Sequence, residues 1–161
     1  LMITQAQLKE IFNYVNGELY WKVRPSNFVD LSKPAGSINN DGYRSISVRR
    51  ERYQAHRLVY IYHHGFYPIM LDHINNNRSD NRIENLREAT ARQNGMNKVT
   101  GSNNTSGVKG VHFCKSTKKW KSVIRSNGKR LTIGYFTNIS DAKDAVTGAR
   151  RVLHGEFAND G

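Results

Sequence analysis

The run Val99-Thr100-Gly101-Ser102-Asn103-Asn104-Thr105-Ser106-Gly107 constrains the fold most, because it offers almost no side chain that a core could use. Gly, Ser, Thr and Asn order poorly on their own and connect well. The sequence therefore predicts two small domains, 1–98 and 107–161, joined by a linker at 99–106. Each must stabilise itself by packing, since the one cysteine, Cys114, excludes an internal disulfide and any zinc site built on paired thiolates. With 37% hydrophobic residues, both cores are modest.

Charge narrows the choice of partner. The chain carries 25 Lys+Arg against 13 Asp+Glu, a formal charge of +12 and a pI near 10.0. Residues 1–98 hold +5 and residues 99–161 hold +7, so the shorter part is the more cationic. Such an excess points to a polyanion; a solubility device or a ribosome-like RNA contact is the plainer account. No apolar run approaches the ~18 residues of a membrane span, and the start lacks a basic segment followed by an apolar stretch. The expectation is an intracellular, cytoplasmic protein with no membrane partner and no small-molecule cofactor.

Local patterns place the elements. Thr4 and Gln7 form a capping box ahead of Leu8, Ile11 and Phe12, which recur at helical spacing. Asn16-Gly17 separates Phe12–Val15 from Glu18–Trp21 as a hairpin turn, although Gly17 could also cap a longer helix. Asn39-Asn40-Asp41-Gly42 marks another turn, and alternation follows through Val48. Arg49-Arg50-Glu51-Arg52 reads as a polar turn before a return strand from Tyr53, its arginines either a solvated tip or a phosphate contact. A helix from His56 to His64 stops at Gly65, with His56 packed at its boundary and His63 and His64 without a role. Ile69 to His73, a polar Asn-rich loop, Leu86 to Ala89, and a capping box at Thr90 and Gln93 give the order strand, loop, strand, helix.

This last stretch carries chemistry. Phosphodiester hydrolysis needs a deprotonated water, neutralised charge on the phosphate and a stabilised leaving oxygen. A neutral imidazole, His73, can serve as base. The oxygens of Asp72 and Asn94 are hard donors suited to Mg²⁺, which commonly takes one or two protein ligands plus substrate phosphate. Neighbours on a strand point to opposite faces, so Asp72 and His73 can take different tasks. Asn85 is the candidate for holding the His73 ring in one tautomer.

Asp72-His73, Asn85 and Asn94, with Ala55-His56-Arg57-Leu58-Val59 upstream and Asn81-Arg82-Ile83-Glu84-Asn85-Leu86-Arg87 between, resemble the HNH endonuclease family with its ββα-metal site, in particular the homing type, over residues 40–98. The resemblance implies that Asp72 and Asn94 bind Mg²⁺ or Mn²⁺, that His73 is the general base, and that Asn85 steadies the loop and His73. Asn94 stands where many members carry His.

Beyond the linker, Val108–Phe113, Trp120–Arg125 and Lys129–Gly134 read as three strands, with Asn127-Gly128 turning between the last two, and a helix starts at Ser140. Alternation puts Val111, Phe113, Trp120, Ser122, Ile124, Leu131 and Ile133 toward that helix. His112, Cys114, Lys121, Val123, Arg125, Arg130 and Thr132 fall on the open face, where no stacking aromatic is evident. A ribbon of this width can enter a major groove. Gly107-Val108-Lys109-Gly110-Val111, Trp120–Arg125, Ile133-Gly134-Tyr135-Phe136 and His154–Asn159 resemble the AP2 DNA-binding domain over residues 106–160. That resemblance implies DNA contacts from Lys109, His112, Arg125 and Arg130. Cys114, Val123 and Thr132 depart from its usual Arg, Glu and Trp, which implies relaxed base readout.

The expected fold class is α+β: a ββα-metal nuclease domain followed by a three-stranded antiparallel sheet packed on one helix. The expected function is a metal-dependent endonuclease that nicks duplex DNA as a monomer, with Lys109, His112, Lys121, Arg125, Arg130, Arg49, Arg50 and Arg52 on the DNA. The alternative is a DNA-binding regulator with an inactive nuclease fold.

Overall fold

The computed structural model describes residues 2–161. It is a mixed α and β structure whose contacts divide it into two compact units, the first ending at Thr90 and the second running Ala91–Gly161. The division falls ahead of the Gly/Ser/Asn-rich run. Within the second unit, Arg92 donates to Asn127 Oδ1 and Asn159 donates to Asn97 Oδ1 at 3.2 Å, tying the segment after Thr90 to the Asn127 turn and to the last residues. The run itself is pinned by its own side chains. Asn104 Oδ1 accepts from the Ser106 and Gly107 amides at 2.9 and 3.0 Å, and Ser106 Oγ donates to the Val111 carbonyl at 2.6 Å.

In the first unit, α1 (Gln5–Ile11) begins at the Thr4–Gln7 capping box, with both reciprocal bonds present. It leads into the hairpin β1 (Phe12–Val15) and β2 (Glu18–Trp21), turned by Asn16 and Gly17 at positive φ. A three-stranded antiparallel sheet follows in the order β3 (Ser37–Ile38), β4 (Arg44–Val48), β5 (Glu51–Gln54). The return strand starts at Glu51 rather than Tyr53, because Arg49 and Arg50 alone make the turn, at φ 52° and 70°. Helix α2 (Ala55–His64) ends where Gly65 takes φ 81° and donates back to Ile61. Its Leu58, Val59 and Ile61 pack with Leu8, Phe12, Leu19 and Ile46 into the core, and the Phe12 and Trp21 rings lie 4.4 Å apart. Full burial of an aliphatic side chain such as Leu58 contributes about 2 kcal/mol. Against that core stands the two-stranded sheet β6 (Leu71–His73) and β7 (Leu86–Glu88).

The second unit holds α3 (Ala91–Met96), an antiparallel sheet of β8 (Val111–Cys114), β9 (Lys119–Ser126) and β10 (Lys129–Phe136), and α4 (Ile139–His154) packed on it. The first strand starts at Val111 and not Val108, since Gly110 at φ 81° lets the Val111 amide turn back to the Val108 carbonyl at 3.1 Å. The helix starts one residue before Ser140, with Asn138 as its cap residue. Its core is small: Val111, Ala142 and Val146, flanked by Val108, Trp120, Phe136 and Ile139. Ser122 sits at the sheet–helix contact and donates to the Ala142 carbonyl at 2.7 Å, so one buried contact is a hydrogen bond and not apolar packing. Phe113 and Leu131, expected toward the helix, stay 50% and 40% exposed, which explains why this core is smaller than the alternation implied. Between Thr132 and Gly134 the register shifts by a bulge.

Gly36 is the tightest backbone approach. At φ 77°, an added Cβ would lie 2.0 Å from the Ser45 carbonyl oxygen across β3 and β4. Gly36→Ala is expected to lower the stability of the first unit by about 2 kcal/mol or more, read from urea unfolding of the intact protein.

Candidate active site and nucleic-acid interface

Register brings the first pair of site residues together. Asp72 on β6 stands directly opposite Arg87 on β7. Arg87 donates through Nε at 3.0 Å and Nη2 at 2.8 Å to Asp72 Oδ2. The carboxylate is 4% exposed, so this guanidinium both compensates the buried charge and fixes its plane. His73, paired with Leu86, is 7% exposed. Its ring packs edge-on to His56 with centroids 5.1 Å apart and lies 6.0 Å from the Tyr43 ring.

The residue that holds His73 is Asn81, not Asn85. Asn81 Oδ1 lies 3.1 Å from His73 Nε2, and Asn81 is 2% exposed. An amide oxygen can only accept, so the neutral ring carries its proton on Nε2 and its lone pair on Nδ1. Burial pushes the His73 pKa below its ordinary 6.5, against the opposing pull of Asn81 and Asp72, which leaves the imidazole neutral and able to take a proton at pH 7. His56, at the start of α2, is packed as expected, but it packs against His73. Burial, with His73 and Arg57 nearby, pushes its pKa down to about 3.

Asn85, expected to steady the loop and His73, bonds within the loop between β6 and β7. Its Nδ2 donates to Asn75 Oδ1 at 3.0 Å and to the Asp80 carbonyl at 2.8 Å, while its Oδ1 accepts from the Asn75 amide at 3.1 Å. Asn75 and Asn77 add turns of their own, accepting from the Asn77 and Ser79 amides at 2.8 and 3.2 Å. Asp80 is gripped by Arg82 through Nε and Nη2, both at 2.8 Å, which holds its carboxyl well below the usual range. The Asn-rich composition is therefore a chain of side-chain-to-backbone bonds that returns Asn81 to the His73 ring. Sequence reasoning missed Asn81 because its neighbours are also amides and nothing in the spacing marks which one returns.

Among the described residues no group of three or more His, Cys, Asp and Glu side chains is placed to hold a metal ion. The donor set still fits a hard divalent cation. Asp72 is an oriented carboxylate oxygen donor, and a Mg²⁺-type ion draws most of its ligands from water and phosphate. Asn94 lies on α3, half-buried, in the second unit.

The cationic residues divide into exposed and committed groups. Arg49, Arg50 and Arg52 are exposed at the β4–β5 turn. On the second sheet Arg125 faces Arg130 and His112 faces Lys121 across strands, while both arginines are exposed. Like charges directly opposite destabilise a sheet, so the Arg125–Arg130 pair invites an anion. Burial and the nearby Arg130 and Lys121 push His112 below 6.5. Lys109, expected on DNA, is engaged within the protein. Its Nζ donates to the carbonyls of Asn159 at 2.7 Å, Met96 at 3.2 Å and Lys98, so its charge clasps the C-terminus and the chain after α3. The open face also carries an aromatic. The bulge puts Tyr135 opposite Lys121, whose Nζ lies 5.3 Å from the ring centroid, and Tyr135 is 44% exposed.

Residues 53–96, from β5 through α3, match the HNH endonuclease family. Protein 3.8 of Escherichia phage T7 is 32% identical over 94 residues, 58% of this chain and 74% of that protein. The uncharacterized HNH endonuclease L560 of Acanthamoeba polyphaga mimivirus is 33% identical over 131 residues, 80% of this chain and 67% of that protein, so the likeness extends past the family segment on both sides. No solved structure matches the chain. A strand–loop–strand unit that carries a neutral imidazole beside an oriented carboxylate, in so cationic a chain, is the equipment of a nuclease. The chain belongs to the HNH endonuclease family, whose members act on DNA. Among the described residues no helix is long and apolar enough to cross a membrane.

Two measurements check the geometry. In Asn81→Leu the His73 ring is expected to lose its single Nε2–H tautomer, seen as merging ¹⁵N shifts of the two ring nitrogens, whereas Asn81→Asp keeps it. Lys109→Met is expected to cost about 2 kcal/mol of second-unit stability in denaturant melts and to leave the salt dependence of DNA binding unchanged.

Proposed function

We propose that this chain is a divalent-metal-dependent endonuclease of the homing type that nicks duplex DNA as a monomer. The observation that carries the reading is the His73–Asn81 contact at 3.1 Å beside the Arg87-oriented Asp72. In this reading His73 Nδ1 takes the proton from the attacking water, Asn81 retains the opposite proton on Nε2, and Asn85 keeps the loop shut behind them. Asp72 and Asn94 would hold Mg²⁺ or Mn²⁺, which when bound neutralises charge on the phosphate and the leaving oxygen. No other cofactor is required. One such site cuts one strand.

Residues 1–98 act as the nuclease part, 99–106 as the connector and 107–161 as an AP2-type DNA-binding part. The opposed Arg125–Arg130 and His112–Lys121 pairs support phosphate binding by the second sheet. Val123 and Thr132 between them offer little for base edges, so contacts there position the protein more than they select sequence. The viral sources of both relatives support action inside a host cell.

Supercoiled plasmid incubated with the protein and Mg²⁺ is expected to give nicked circles before any linear product, and a chelator stops the reaction. His73→Ala is expected to lower the nicking rate by about 10²–10⁴-fold, with the gel-shift midpoint within about twofold of wild type. Nicking by His73→Ala at the wild-type rate removes His73 as the base. Specific duplex binding with no Mg²⁺-dependent or Mn²⁺-dependent nicking favours the regulator reading.

A further inference from the structure

Three hairpins among the described residues close through two-residue turns, and they do not use the same chemistry. In β1–β2 the turn is Asn16-Gly17 at φ 48° and 90°, and in β9–β10 it is Asn127-Gly128 at φ 53° and 74°. In β4–β5 it is Arg49-Arg50, at φ 52° and 70°. Positive φ at both positions is what a type I′ turn demands, and Asn-Gly meets that demand at least cost. Arginine meets it poorly: it has a Cβ, and no short polar group to bond the local backbone.

The strain has no compensation inside the protein. Arg49 and Arg50 are exposed, and among the described residues neither guanidinium has a hydrogen bond or ion pair. Arg52, also exposed, stands opposite Ser47 just behind the turn. Strained non-glycine positions without internal partners mark sites kept for what they touch. A tip that only had to stay solvated would be served better by Asn-Gly, as at the other two turns.

The hairpin is also fixed to the site. Tyr43, immediately before β4, packs its ring 6.0 Å from His73 and 5.5 Å from His56, which opens α2 directly after β5. From Tyr43 to Arg49 the chain runs up β4, a rise of roughly 20 Å at ~3.3 Å per residue. That length equals the axial rise of about six base pairs of duplex at ~3.4 Å each.

We propose that the β4–β5 hairpin is a phosphate-gripping finger, with Arg49 and Arg50 neutralising duplex backbone phosphates about six base pairs along the duplex axis, on either strand, from the phosphate that His73 serves. The proposal rests on the nuclease reading and adds a second DNA contact, within the first unit, at a set distance from the cut. The contact holds register and is indifferent to sequence.

The test is the double variant Arg49→Asn/Arg50→Gly, which installs the turn the chain already uses twice, with Arg49→Lys/Arg50→Lys as the charge-retaining control. Duplex binding is measured in chelator as a function of salt, alongside plasmid nicking and thermal melting of the intact protein. The Asn-Gly variant is expected to melt no lower than wild type. Its slope of log affinity against log salt should fall by about 1.8, its KM should rise several-fold, and its kcat should stay within about twofold. The Lys-Lys control keeps the slope, and phosphate ethylation about six base pairs along the duplex from the nick, on whichever strand faces the finger, ceases to interfere with binding only in the Asn-Gly variant. An unchanged slope in the Asn-Gly variant overturns the finger while leaving the nuclease intact. A lowered slope with equal loss in the Lys-Lys control, or with a lower melting point, overturns it as well. Wild-type protein that neither binds nor nicks duplex DNA refutes the nuclease reading itself.

Discussion

One hydrogen bond, between His73 Nε2 and Asn81 Oδ1, decides which nitrogen of a buried imidazole can receive a proton. The rest of the first unit serves to keep that bond in place. An imidazole taken out of water loses its charged form, and a buried ring without a fixed partner would exchange between two tautomers of similar energy. Asn81 lies in the long connection between β6 and β7, the kind of segment that would otherwise sample many conformations. Asn85, Asn75, Asn77 and the Asp80–Arg82 fork replace that freedom with local bonds, and β7 returns Arg87 to the neighbouring carboxylate. Imidazole and carboxylate are thus each held by a partner from across the same loop. Loop integrity and chemistry are one property here.

The surplus positive charge is not spread evenly in its consequences. Lys109 turns its ammonium onto three carbonyls, and burial with Arg150 nearby pushes its pKa down to about 8. That cation is structural. Arg125 and Arg130 are forced to face each other by the β9–β10 register, and Arg49 and Arg50 occupy a backbone conformation they fit badly. In both places the isolated protein carries a small electrostatic or conformational cost that a phosphate backbone would relieve. A formal charge of +12 says only that a polyanion is welcome; the register and the turn set where cations are crowded or held in a strained backbone.

Much of the fold was legible because local rules and tertiary structure agree. The Thr4–Gln7 box starts α1, Asn-Gly turns two hairpins, and Gly65 stops α2. Asp72 and His73 stand out in the sequence because their chemistry is distinctive at short range. Asn81 does not, since identical amides surround it and only the folded loop selects one. The Lys109 clasp was hidden for a similar reason: its acceptors at Met96, Lys98 and Asn159 are backbone carbonyls, which every residue has. Strict alternation also missed the bulge after Thr132, which moves Tyr135 onto the cationic face beside Lys121.

The sequence by itself determined which segments become helix, turn and strand, and which side chains have the chemistry to move a proton or bind an anion. Those are properties of spacing and functional group, and they survive without coordinates. Only the tertiary structure decided which amide meets the imidazole, which cation faces inward and which arginines are left opposed, because those outcomes depend on register and loop return. Residues distant along the chain become neighbours only when the backbone closes, and a buried polar group then takes whichever partner the closed loop brings within about 3 Å.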